Sequence, residues 1–233
     1  MQLLNAATNT NANVSIMMNI EMSDAEGIGN ICADTPSGDK TKTILIGAHS
    51  DGVQAGSGIN DNAGPNYRFG IHDCATAPAS TTKVALHGTN RITDLFRQWF
   101  TEQKLPWSNA SFNGGSDYAP FLANGLAVGG VNTGAGGIKS PHERDQYSAM
   151  LGTGNGGIAN AAYDPCYHQQ CDRIRNINPF AYEKVVKSAA YAIEYMGRLN
   201  NLEKWLYPEG RPKQLEPFNR NQLYNTQSDP RLY

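Results

Sequence analysis

An α/β fold built on a parallel or mixed sheet is predicted by three features of the sequence. The run Thr43-Ile44-Leu45-Ile46-Gly47-Ala48 is continuously apolar over strand length, the signature of a strand covered on both faces. Between Thr89 and Lys104, the residues Ile92, Leu95, Phe96, Trp99 and Phe100 recur at helical spacing, so an amphipathic helix should turn its apolar stripe to that sheet. A second helix is announced by Asn178 as N-cap and Pro179 at the first helical position. It should run to about Asn200, with Val185, Val186, Ala189, Ala190, Ile193 and Met196 on one face.

The other elements follow from the same rules. Val14, Ile16, Met18, Ile20 and Met22 alternate with mostly polar neighbours, which predicts a half-buried strand, and a turn at Gly27–Gly29 joins it to residues 30–33 as a hairpin. Pro36-Ser37-Gly38-Asp39 is a turn before the 43–48 strand. Tyr67 to Ile71 and Leu126 to Val131 read as further strands, and residues 132–160, glycine-rich and without periodicity, as a long loop region. Pro208, Pro212, Pro217 and Pro230 mark an extended tail. The expected organisation is a disordered or truncated segment 1–13, one domain over 14–204 and the tail 205–233.

Composition narrows the function. The 233 residues carry 19 basic and 21 acidic side chains, a formal charge of −2, so no broad basic field exists to attract nucleic acid. Apolar stretches are far shorter than the roughly 20 residues that cross a bilayer, which gives no reason to expect a membrane partner. Residues 1–13 lack the basic start and apolar core of a signal peptide. Cys166 and Cys171, five apart, are placed to close a small disulfide loop, and Asn13-Val14-Ser15 and Asn109-Ala110-Ser111 are glycosylation sequons. Both features point to a secreted glycoprotein whose signal is cut or missing. No G-x-S-x-G elbow occurs, and the glycines at 152–157 do not follow a recognisable strand, so serine hydrolase and phosphate-loop chemistry are set aside.

Two segments carry the chemistry: GAHSDGVQAGSGINDNA at 47–63 and YDPCYHQQCD at 163–172. Taken singly, the first is read as a satisfied polar histidine after a strand and the second as a disulfide staple. Together with FNGGSDYAPF at 112–121 and GLAVGGVNTGAGGIK at 125–139, the chain resembles the secreted zinc aminopeptidases with two co-catalytic metals, the bacterial and fungal leucyl-aminopeptidase kind. The resemblance implies a three-layer α/β/α sandwich around a mixed sheet, and removal of N-terminal residues from peptide substrates. It also implies roles. His49 would bind one zinc, Asp61 would bridge both zincs, and His168 would bind the other. Tyr167 would help polarise the scissile carbonyl, Asp51 would orient His49, and a Cys166–Cys171 disulfide would hold the loop. These residue types suit the task, since zinc takes imidazole nitrogen and carboxylate oxygen, and outer-sphere carboxylates fix its histidines.

The chain also departs from that pattern. Asp61-Asn62-Ala63 runs directly into Gly64-Pro65-Asn66-Tyr67, where the resemblance expects an intervening stretch with an adjacent glutamate pair, one the general base and one a ligand, and a further aspartate ligand. No two acidic residues are adjacent anywhere in the sequence. Three of five metal ligands remain, so one zinc or none is expected, and the Ile44–Ile46 strand loses neighbours for its backbone groups. Gly115 stands where the family has an arginine that holds the substrate's N-terminus. Asp117 is the best placed acid to be recruited in compensation; Asp73, Asp94, Glu102, Glu143, Asp145 and Asp164 read as surface, caps or turns. Two functions follow: a zinc aminopeptidase seen in shortened form, or an inactive homologue that binds a peptide, a metal or a protein.

Overall fold

The computed structural model describes residues 33, 39, 43–49 and 64–211. It divides at Thr43/Ile44 into two units, and within the first the described Ala33, Asp39 and Thr43 are exposed and outside regular structure. The hairpin expected over residues 14–33 lies, Ala33 apart, outside the described residues. All that follows concerns the second unit.

Its described part is a mixed α/β structure. Three short strands, β1 (Gly70–His72), β2 (Ser108–Ala110) and β3 (Val131–Asn132), form one sheet with β1 in the middle. β2 runs parallel to β1, with Ile71 opposite Asn109, and β3 runs antiparallel, with Ile71 opposite Val131. Five α-helices accompany it: α1 (Lys83–Glu102), α2 (Tyr118–Ala123), α3 (Pro141–Leu151), α4 (Pro179–Gly197) and α5 (Leu202–Leu206).

Helix α1 begins six residues earlier than periodicity suggests, because the Thr82 hydroxyl accepts from the Ala85 N–H and caps it. All five residues of its expected apolar stripe are buried. They join Tyr67, Phe69 and Ile71 in the main core, and the Thr93 hydroxyl donates to the His72 carbonyl at 2.8 Å to tie the helix to β1. Helix α4 starts where Asn178 and Pro179 place it, with the Asn178 side chain accepting from the Ala181 N–H. Its buried face is rotated from the expected one. Ala181, Ser188, Ala192 and the expected Met196 are buried and Val185 packs against the core, whereas Val186 is exposed.

Two expectations are corrected. The segment 43–49 is in no ladder among the described residues, and Leu45 and Ile46 are 62% and 61% exposed rather than buried. β2 and β3 take both sides of β1, so this segment is not the central strand of the sheet. Residues 132–160 are not all loop, because α3 lies within them. Ser140 accepts from the Glu143 N–H and Pro141 opens the helix, a start signal that does not depend on apolar periodicity.

Candidate metal site

The residues that follow the first motif are fastened to those that precede the second. Asn66 donates its backbone N–H to the Tyr163 carbonyl at 3.0 Å, and its side-chain amide donates to the carbonyls of Ile158, Ala161 and Ala162. The same side chain accepts from the Ile158 N–H at 2.7 Å. One asparagine thus satisfies five backbone groups of the chain entering the second motif. Gly64 lies closer still: a Cβ there would stand 2.4 Å from the Asp164 Cβ and 2.5 Å from its Cα. Only glycine lets the two backbones meet in this way.

This contact yields a prediction. Gly64→Ala should destabilise the fold by about 1–3 kcal/mol, because the new Cβ would meet the Cα and Cβ of Asp164, which cannot swing aside without moving the backbone. Gly197→Ala, where a Cβ meets nothing within 4 Å at the end of α4, is the control and should be neutral or slightly stabilising. Urea denaturation of both variants checks the pair.

The second motif sits on a two-stranded ribbon. Tyr163 and Asp164 donate their N–H groups to the carbonyls of Gly137 and Ala135, and Ile138 bridges to Ala162. Gly136 lies against the Tyr167 ring, where a Cβ would be 2.9 Å from the ring edge. Cys166 and Cys171 are joined by a disulfide, as the resemblance implied. Inside that loop the rings of Tyr167 and His168 stack with centroids 3.8 Å apart, and His168 has a left-handed backbone at φ 56°. A histidine held in this region is overdetermined by its surroundings, a pattern common at binding sites.

Asp164 begins the loop. It is 2% exposed, so the sequence reading of a surface or turn acid is incomplete. Its Oδ1 accepts from the Cys166 N–H and from the Asn176 amide, both at 2.8 Å, while its buried Oδ2 has no hydrogen-bond partner.

Behind the ribbon is a buried polar cluster not anticipated from sequence. Lys139 is 1% exposed, donates to the Gly156 carbonyl at 2.9 Å and places its ammonium 4.3 Å from the centre of the Tyr147 ring. Burial holds its amine down to about 8, against a smaller upward pull from Glu143. Glu143 accepts a short hydrogen bond from the Tyr163 hydroxyl, whose pKa is pushed up to about 12, mainly by burial. The Ser140-x-x-Glu143 capping signal was the available clue to Glu143.

The other expected residues are placed as follows. His49 is half-buried. Asp117 is exposed at the start of α2, with its Oδ2 3.9 Å from where a Gly47 Cβ would stand, so it neighbours the segment leading to His49. Gly115 is exposed and donates its N–H to the Asn113 side chain at 3.0 Å. Asp51 and Asp61 lie outside the described residues. Among the described residues no three His, Cys, Asp or Glu side chains group together to hold a metal. A surface depression near the start of α1, lined by Cys74, Pro78, Lys83, Leu86, His87 and Asn90 among others, includes none of the expected site residues. No described helix is long and apolar enough to cross a membrane.

The chain belongs to peptidase family M28, whose sequence pattern matches residues 75–193. That match contains Gly115, Asp117, Tyr167, His168 and both loop cysteines, and begins after the 47–63 motif. Leucine aminopeptidase 2 of Trichophyton rubrum is 27% identical over 248 residues, covering 79% of this chain and 48% of the relative. The probable leucine aminopeptidase 2 of Aspergillus fumigatus is 26% identical over 226 residues, covering 70% and 43%. The chain therefore spans about half the length of these curated relatives. Since 79% of 233 residues is about 184, about 64 of the 248 positions aligned with the Trichophyton protein lie opposite no residue of this chain.

Proposed function

We propose that this chain holds zinc between the segment carrying His49 and Asp61 and the loop carrying His168, in a site of the aminopeptidase kind directed at the N-terminal end of peptides. One observation carries the reading: Gly64, three residues after Asp61, lies against Asp164, four residues before His168. The donor set suits zinc, being imidazole and carboxylate. The orphaned Asp164 oxygen also fits a site in which a metal brings the missing polar partner.

Bound zinc supplies Lewis acidity and lowers the pKa of a coordinated water. The chain's own contribution is positional. Gly136 and the disulfide fix the Tyr167–His168 pair, with the Tyr167 hydroxyl offered to a substrate carbonyl, Asp51 orients His49, and Gly115 leaves room at the substrate's amino group. The finer architecture belongs to the same proposal: a three-layer sandwich over 14–204, a tail over 205–233, and an oxidising, extracellular destination. Asn109 suits a glycan, because it is exposed on edge strand β2 and engages Arg97 through Oδ1 rather than through the amide nitrogen that a sugar would take.

A second reading, binding without turnover, is favoured by a specific observation. No adjacent acidic pair exists in the sequence to supply a general base and a ligand side by side, and about 64 aligned positions are missing. Zinc retention by native mass spectrometry, followed by incubation with leucine 4-nitroanilide, separates the readings. Zinc retained with release of the anilide assigns the hydrolase, and zinc retained without release assigns the binder. A chain that retains no zinc overturns the zinc site and the hydrolase, and leaves only the binding of a peptide or a protein.

A further inference from the structure

We infer that Asp164 is a positioning residue of the metal site, its buried Oδ2 kept for an N–H or O–H donor that becomes available when zinc binds. The inference rests on the zinc reading above and adds to it a residue outside the expected ligand set. The two oxygens of this carboxylate are used unequally. Oδ1 takes both donors within reach, the Cys166 N–H and the Asn176 amide. Oδ2 is buried without a donor, in a side chain 2% exposed. A carboxylate oxygen removed from water and given nothing in return is costly, and a native chain keeps one where a partner arrives later.

Its place in the fold says which partner. Asp164 precedes the His168 loop and packs against Gly64, the residue after the 47–63 motif, which lies against its Cα, Cβ and Cγ. It also sets the loop, since the Tyr167 N–H donates to its carbonyl at 3.2 Å and the Cys166 N–H to its side chain. The Asn176 amide that serves Oδ1 also lies 3.5 Å from an oxygen of the neighbouring Asp172, so it is already committed. At a loaded site, an N–H or O–H donor beside the metal would give this oxygen the partner it lacks. Outer-sphere carboxylates at zinc act in this way, and their loss weakens the metal 10–100-fold.

Asp164→Asn isolates the orphan oxygen. The amide retains a carbonyl that can accept from Cys166 and Asn176, and replaces Oδ2 with a group that cannot accept. Zinc affinity is measured by competition with a chelating dye for wild type, D164N and H168A, with the zinc-free melting temperature of each as the fold control. The expected result is a D164N melting temperature at or above wild type, with zinc affinity about 10–100-fold lower. D164N binding zinc as wild type does, while H168A loses it, overturns this inference and leaves the zinc reading standing. Wild type binding no zinc overturns the zinc reading and takes the inference with it. Should D164N not fold, wild type labelled with 13C at aspartate Cγ decides: the Asp164 carboxyl resonance moves on zinc addition if Oδ2 gains a donor, and an unmoved resonance overturns the inference.

Discussion

Phe69→Ala is expected to lower stability by about 3–5 kcal/mol, a large part of the 5–15 kcal/mol that holds a typical domain. Phe69 is fully buried at the entry to β1, and its ring centre lies 5.1 Å from that of Phe100, 5.2 Å from Tyr67 and 6.2 Å from Tyr147. It therefore joins helix α1, the central strand and helix α3 in one aromatic cluster. Truncation removes the transfer free energy of the ring and leaves a cavity that these rigid neighbours cannot collapse to fill. Phe69→Leu, which keeps most of the volume, should lose under about 1.5 kcal/mol. Urea midpoints read both; a loss below 1 kcal/mol for the alanine variant would refute a core centred on Phe69.

The second large effect is one of pH. His72 ends the central strand, stacked on Phe112 at 4.9 Å and close to Tyr118 at 5.0 Å, with its Nδ1 buried and without a partner. Burial, helped by the Arg68 charge, holds its pKa down to about 4, against 6.5 for a free histidine. The unfolded chain therefore takes up this proton more readily than the folded one. Stability from this residue is intact above pH 6.5, falls as the pH drops from 6.5 to 4, and levels off below. The full effect is on the order of 3 kcal/mol. The groups facing His72 are Arg68 in its own strand segment, Phe112 and Tyr118 on one side, and the Gly130 backbone on the other. His72→Phe keeps an aromatic ring there and removes the proton. Melting curves from pH 7 to pH 4 should show a steeper loss for wild type than for H72F, and parallel curves would overturn the assignment.

Where the sequence is informative, the signals are local. Thr82, Ser140 and Asn178 each cap a helix through their own side chains, and the last was legible together with Pro179. Helix α3 escaped because its sequence, PHERDQYSAML, buries only Glu143 and Tyr147 and has no apolar stripe to count. The rotation of α4 was illegible for a related reason. Periodicity counts Val186 as apolar but cannot tell that Ser188 is buried and Val186 exposed. Residues 43–48 have every local property of a buried strand, yet burial is a property of neighbours, which no local pattern contains. For the site, Cys166, Tyr167, His168 and Cys171 were visible as residue types in order. The burial of Asp164 and Lys139 was not, because it depends on how residues 64–66 and 135–139 pack around them.

Leu45 and Ile46 stand largely in solvent within a stretch of strand-forming residues. Such a stretch offers amides, carbonyls and apolar side chains to any extended chain it meets, including its own kind. Self-association through this stretch is therefore expected to rise with protein concentration while the fold stays intact.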